Sequence, residues 1–478
     1  MSVYDYDIGV IGAGAAGLTV AAGSAQLGAK TLLVEKDDLL GGDCLHYGCV
    51  PSKTLIKSAA VYHLSGRMKE FGLPEVNRPP VDFAKVRERI EQTIARIQHH
   101  DSVERFTGLG ADVRFGRAHF VDDHKVDVGG TELTAGKWVI CTGSSAIIPE
   151  VPGLSDIGAL TNRTIFSLET LPQSLLVVGA GPIGIEMAQA FARLGTTVTV
   201  LQRGPQILPR EDADLADDLQ RMLEDEGIRF MLDCELLSAG ADRHGKNLIC
   251  RTADGAEQLL VGDQVLVGAG RQVNVRELKL ENASVAYGTG GIQVDRRLRT
   301  SSRHIFAAGD VIGGYQFTHA AGYEGGIVVT NAVMGIPRKT SYRWMPHCTY
   351  SDPELGGIGL SEKEAKRLGI AYEVLQERFS DNDRAQAEAE TRGGIKLILD
   401  KRGRPLGVRI LGFHAGDLLA EWVAALNGRV KLSKIAGSIH AYPTMSEINK
   451  RVVGSLFSKK IFSDTVRKVL RMVYRYRG

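Results

Sequence analysis

Two cysteines five positions apart, in the segment Gly41-Gly-Asp-Cys44-Leu-His-Tyr-Gly-Cys49-Val-Pro51-Ser-Lys53, are the residues of this chain best suited to chemistry. A thiol pair can cycle between dithiol and disulfide and so carry two electrons. Five residues of straight α-helix advance ~7.5 Å, too far for the Cα separation of a disulfide, and turn the side chains ~140° apart. A bridge therefore requires an overwound loop, which Gly41, Gly42 and Gly48 permit. Pro51 suits the first turn of a following helix. Cys49 then sits at a helix N-terminus, where the dipole favours thiolate. The spacing does not match zinc patterns, and no second cysteine pair completes a tetrahedral site, so no metal is assigned. Cys141, Cys234, Cys250 and Cys348 read as buried or incidental thiols.

The elements that must hold this pair are legible as two strand–turn–helix units. Residues 6–11 read as a buried strand, followed by Gly12-Ala-Gly14-Ala-Ala-Gly17, a helix to about Gly28, and a strand from Lys30 to Glu35. Ser174 to Val178, Gly179-Ala-Gly181-Pro-Ile-Gly184, a helix from Ile185 to Leu194, and a strand from Thr197 to Leu201 repeat the pattern. Such a turn lets a pyrophosphate approach the backbone at a helix start. Glu35, at the end of its strand, suits a ribose diol. The second strand ends instead in Gln202-Arg203, with Arg210 beyond. Guanidinium groups there would pair with a 2′-phosphate, which favours NADPH, with NADH as the alternative.

The division expected from these patterns is a first dinucleotide domain over 1–150 and 276–345, a second over 151–275, and an α+β domain over 346–478 that lacks its own glycine turn. The stretch 85–100 reads as a charged, solvent-facing helix. Bulk properties agree with a globular enzyme: 478 residues, 44% apolar and 24% charged. A net charge of +2 gives no field suited to nucleic acid. No signal sequence or spanning apolar run is present, and six cysteines do not make a disulfide scaffold, so a reducing, cytoplasmic setting is expected.

With these motifs in this order, the chain resembles the FAD-dependent pyridine nucleotide–disulfide oxidoreductases, the family of glutathione reductase, dihydrolipoyl dehydrogenase and mercuric reductase. The resemblance implies FAD held by Gly12, Gly14, Gly17 and Glu35, with further contacts at Thr142-Gly143-Ser144 and Gly309-Asp310. It implies that Cys49 is the thiol nearest the flavin and Cys44 the one that meets substrate. Lys53 and Glu186 match the family's ion pair beside flavin N5, where a cation stabilises reduced flavin. A nicotinamide nucleotide would bind at Gly179, Gly181 and Gly184. The C-terminal domain would form a homodimer and complete the partner's site. Electrons would pass from NAD(P)H through the flavin to the disulfide and on to a small-molecule disulfide, metal–thiol or lipoyl-type substrate.

One departure bears on the substrate. The segment His440-Ala-Tyr442-Pro443-Thr444-Met-Ser-Glu447 carries Tyr442 where glutathione reductase and dihydrolipoyl dehydrogenase carry a catalytic His. Mercuric reductases also place Tyr there, with a Glu five residues on. They usually carry a C-terminal vicinal cysteine pair as well, whereas the last cysteine here is Cys348. His440, two residues before Tyr442, reads as structural. Asp43 stands in place of the usual Thr before the first cysteine. The readings are a mercuric reductase-like NADPH-dependent reductase, a dihydrolipoyl dehydrogenase, or a membrane-associated flavoprotein that reduces a quinone or partner protein. The third reading draws on residues 459–478. They hold Lys459, Lys460, Arg467, Lys468, Arg471, Arg475 and Arg477 against Asp464, with Val466, Val469, Leu470 and Val473 at helical spacing. This basic amphipathic helix would pack on the dimer or its own subunit, or contact an anionic membrane surface.

Overall fold

The structure is a computed structural model that describes residues 3–477; the side chains of Lys459, Lys460 and Arg477 lie outside the described residues. Two compact units divide the chain. The first is Met1–Tyr62, Pro79–Arg203 and Cys234–Ser341; the second is His63–Arg78, Gly204–Asp233 and Tyr342–Gly478.

The first unit begins with β1 (Tyr6–Ile11), α1 (Ala15–Gln26) and β2 (Thr31–Glu35). The short α2 (Gly42–His46), the long α3 (Cys49–Leu64), α4 (Phe83–Gln98) and α5 (Val103–Gly108) follow. Then come β3 (Ala111–Phe115), β4 (Ala118–Phe120), β5 (Lys125–Val128), β6 (Thr131–Ile140) and β7 (Ser144–Ala146). Strands β3, β2, β1 and β6 lie side by side and parallel. The strand Ile305–Ala307 returns from far along the chain to pair with β6, also parallel. Every residue of β2 is buried, as an apolar run covered on both faces must be. The α1 face of the sheet gathers Val10, Val20, Leu33 and Val139; the opposite face gathers Ile11, Leu32, Val34 and Trp138. Gly9 leaves room for the Trp138 ring, since a Cβ there would lie 2.2 Å from it. Helix Thr318–Val328 packs tightly on α1, where a Cβ on Gly325 would stand 2.9 Å from the Ala16 carbonyl oxygen.

A second parallel sheet in the same unit is built on β8 (Ser174–Val178), flanked by β9 (Thr197–Leu201) and Gln264–Val267. Between β8 and β9 runs α6 (Pro182–Leu194). It starts three residues before the sequence-based expectation because Pro182 occupies the first turn, where its missing N–H costs nothing.

The second unit is centred on an antiparallel sheet in the order Pro346–Thr349, Glu354–Gly359, Pro405–Gly412, Gly394–Asp400, Tyr372–Arg378. Helices Ala415–Asn427 and Glu447–Ile461 supply Trp422, Ile448 and Val452 to its core. Buried Trp422 donates its indole N–H to Asn449 at 2.8 Å. Buried Lys396 is ringed by Asp212, Asp214 and Glu362, so its charge is paired.

Two expectations are corrected in detail. The segment joining the cysteines is not loop throughout: Cys44 lies within α2, and only Tyr47 and Gly48 separate it from α3. The basic C-terminal stretch is not one helix, since Glu447–Ile461 ends before Asp464–Arg477 begins.

Candidate active site

Cys44 and Cys49 meet because α2 stops abruptly and α3 restarts at Cys49. Gly41 and Gly42 take φ values of 118° and 59°, a region that side chains disfavour. A Cβ on Gly48 would lie 2.8 Å from the Asp43 carbonyl oxygen, and one on Gly42 would lie 2.7 Å from Gly14 Cα. The cysteine segment is thus packed directly against the first glycine turn.

Neither cysteine is bridged in this structure. The Cys44 thiol's hydrogen bond to the Cys49 sulfur brings the latter's pKa down to about 6, aided by Thr318 and the Lys53 ammonium. Local packing and the Glu186 carboxylate pull the other way. The same hydrogen bond, together with burial, pushes the Cys44 thiol far up. Thr318 Oγ1 stands 3.4 Å from Cys49 Sγ. One turn into α3, Lys53 Nζ pairs with Glu186 Oε2 at 2.7 Å. Glu186 projects from α6 and is buried. The arrangement holds one sulfur as thiolate beside a fixed cation and keeps the proton on the other sulfur.

The two glycine turns share one construction. Gly12 and Gly179 adopt φ values of 101° and 106°. A Cβ on Gly17 would stand 1.8 Å from the Gly12 oxygen, and one on Gly184 would stand 2.0 Å from the Gly179 oxygen. These four glycines are required by the protein's own packing. The middle glycines are not. Gly14 has only Gly42 Cα, at 4.0 Å, near its absent Cβ, and Gly181 has nothing within 4 Å. Each forms the start of a helix with no side-chain cap among the described residues, leaving N–H groups of the first turn for a ligand. This is a cradle that fits a dinucleotide pyrophosphate.

At the first turn, buried Glu35 accepts from Ala13 N at 2.7 Å through Oε2 and from Lys36 N and Asp37 N through Oε1. At the second, Gln202 Oε1 accepts from Ala180 N at 3.1 Å, so a neutral amide does what the carboxylate does in the first. Arg203 is exposed just beyond it; Arg210, also exposed, belongs to the second unit.

Thr142 donates to the Asn274 carbonyl at 2.7 Å, and Gly143 has φ 67° with open space at its Cβ position. Ser144 Oγ donates to Asp310 Oδ2 at 2.6 Å. Gly309 N donates to the buried Glu324. Arg271 ties this region to the cysteine segment, donating to Ser144 Oγ at 2.7 Å and to Asp43 Oδ2 at 2.6 Å. Asn162 donates to the same Asp43 oxygen at 3.0 Å.

In the second unit, Tyr442 is 71% exposed and donates to Asp383 Oδ2 at 2.9 Å. That carboxylate raises the phenol pKa, so Tyr442 is suited to donate a hydrogen bond rather than to take a proton. Glu447 Oε2 accepts from Thr444 N at 3.5 Å. His440 is turned inward onto Glu421, with Nε2 at 3.1 Å from Oε1.

Sequence reasoning missed Thr318, Gln202 as a turn-closing group, Asp383 and the Arg271–Asp43 tie. Gln202 could have been found as the residue in register with Glu35, each following the residue whose carbonyl accepts from the first glycine of its turn. Thr318 carries no local signal, because only the packing of its helix on α1 brings it to Cys49.

The model of the pyridine nucleotide-disulphide oxidoreductases matches residues 6–325, and the model of that family's dimerisation domain matches residues 345–453. Mercuric reductase of Staphylococcus aureus is 32% identical over 446 residues, covering 93% of this chain and 81% of that protein. Dihydrolipoyl dehydrogenase of Geobacillus stearothermophilus is 35% identical over 447 residues, covering 92% of this chain and 93% of that one. The structure of the HOCl-induced flavoprotein disulfide reductase RclA from Escherichia coli superposes with a TM-score of 0.84 at 28% identity, covering 94% and 99%. This chain therefore belongs to the pyridine nucleotide–disulphide oxidoreductase family, as an FAD-dependent disulfide reductase whose dimerisation domain makes it a homodimer.

Proposed function

We propose that this enzyme uses NADPH to reduce a disulfide or a thiol-reactive metal ion through Cys44 and Cys49, in the manner of a mercuric reductase core. The observation that carries the reading is the gathering of unbridged Cys44 and Cys49 with Thr318 Oγ1, 3.4 Å from Cys49 Sγ, and the Lys53–Glu186 pair at 2.7 Å; in this setting the Cys49 thiol is drawn down and the Cys44 thiol pushed up. For a disulfide substrate, Cys44 gives up its proton and attacks one substrate sulfur, releasing the first thiol as a mixed disulfide forms. Cys49, already thiolate, attacks Cys44 Sγ, releases the second thiol and closes the Cys44–Cys49 bond. Two electrons have then left the protein. FAD, when bound, supplies the two-electron link that returns the pair to dithiol at the expense of a nicotinamide nucleotide.

Residues 1–150 and 276–345 would hold FAD, through Gly12, Gly14, Gly17, Glu35, Thr142, Gly143, Ser144, Gly309 and Asp310. Residues 151–275 would hold NADPH, through Gly179, Gly181, Gly184, Arg203 and Arg210. The neutral Gln202 supports NADPH over NADH, since no carboxylate closes that turn. Lys53, fixed by Glu186, would stabilise the reduced flavin, and Tyr442 with Glu447 would act at the substrate end. The Tyr442–Asp383 hydrogen bond supports a substrate that needs no His-like base, which sets dihydrolipoyl dehydrogenase second despite similar identities to both. Cytoplasmic residence fits Cys141, Cys234, Cys250 and Cys348, all thiols here.

The test is a steady-state screen with NADPH and NADH against lipoamide, glutathione disulfide, Hg(II) with excess thiol, and a quinone. The expected result is NADPH-dependent turnover of Hg(II) or a disulfide, abolished in Cys44→Ala. Turnover of lipoamide with NADH above all others would overturn the assignment. Quinone reduction unaffected by Cys44→Ala would give the cysteines a different role.

A further inference from the structure

The dimerisation model ends at residue 453, and the chain continues into the helix Asp464–Arg477. Most of its apolar side chains are uncovered, with Val466 half-buried: Val469 is 51% exposed, Leu470 42%, Val473 36%, Met472 56%. Val466, Val469, Leu470 and Val473 form one stripe, with Tyr476 toward one edge and Tyr474 toward the other. Arg467, Lys468, Arg471 and Arg475 fill the opposite face, and Asp464 is the lone acid of the helix. Ile461 and Phe462, just before it, are likewise exposed.

We propose that this helix docks the enzyme onto an anionic lipid surface, lying in the interface plane. Its 14 residues extend only ~21 Å and carry too much charge to cross a bilayer. An apolar stripe flanked by tyrosines and backed by cations matches an acyl layer beneath anionic headgroups. Charge decides between lipid and a second copy. Pairing two such helices by a twofold axis brings like basic flanks together, whereas a negative surface neutralises them.

The experiment is co-sedimentation of the full-length holoenzyme with phosphatidylcholine vesicles and with vesicles also containing phosphatidylglycerol, at low and high salt. The expected result is pelleting on the anionic vesicles only, reduced at least ~10-fold by high salt. Leu470→Asp/Val473→Asp should abolish pelleting and leave dimer mass and NADPH oxidation unchanged. Arg471→Glu/Arg475→Glu should do the same. Absence of pelleting on anionic vesicles at low salt would overturn the proposal. So would undiminished pelleting of the aspartate variant, or its conversion to monomer, which would assign the stripe to a second copy of the chain.

Discussion

The two glycine turns are built alike, yet they differ at the residue that closes them. Both place a first glycine near φ 100°, both drive a third glycine onto the first one's carbonyl, and both leave the middle glycine open. One is closed by the Glu35 carboxylate and the other by the Gln202 amide. The shared parts are what any pyrophosphate requires. The differing part is a single charge at the closing residue, the position that the proposed function pairs with the ribose.

The largest effect expected from breaking the shared construction is at its third glycine. Gly184→Ala places a methyl 2.0 Å from the Gly179 oxygen, so the turn itself must open. Nicotinamide-driven activity should fall below ~1% and thermal unfolding should shift down. Gly181→Ala meets nothing within 4 Å, so its melting temperature should stay put while KM for NADPH rises at least ~10-fold. Equal loss of stability in both variants would show that the middle position is structural too.

The difference between the turns can be sharpened by removing it. Gln202→Glu should keep the hydrogen bond to Ala180 N but set a carboxylate near the 2′-phosphate. KM for NADPH should rise by roughly 10–100-fold, with NADH little changed. An unchanged ratio of kcat/KM for the two nucleotides would remove Gln202 from specificity.

The smallest effect concerns Thr318, which is linked to the first turn through the packing of its helix on α1. Its hydroxyl is the second group that lowers the Cys49 pKa, after Cys44. Thr318→Val should move the midpoint of the thiolate's appearance upward by less than about one unit, with FAD content unchanged. A downward move would contradict the assigned sign.

What could be read in advance followed from local pattern. The strands, both glycine turns, Glu35 and Cys49 at a helix start are set by residues close in sequence. The Lys53–Glu186 pair bridges 133 positions, and its sequence reading came from resemblance rather than spacing. Thr318 lies 269 positions from Cys49 and was invisible, because proximity there depends on small residues along α1 and its neighbour. The helical turn around Cys44 was missed for a related reason. Glycines at 41, 42 and 48 argued for loop, whereas Gly41 and Gly42 instead bend the chain into a short helix pressed on Gly14.

The account rests on Cys49 being the ionised sulfur of the reduced pair. Its pKa is lowered, so the thiolate must persist as pH falls from 9 and disappear only on passing about 6. The decisive measurement is the long-wavelength absorbance of the anaerobic holoenzyme across that range, two-electron-reduced for wild type and with the flavin left oxidised for Cys44→Ser and Cys49→Ser, which have no disulfide to take up electrons. The predicted result is a band in wild type that fades near pH 6, survives at high pH in Cys44→Ser, and is missing from Cys49→Ser. A band retained in Cys49→Ser, or none at any pH in wild type, would contradict it.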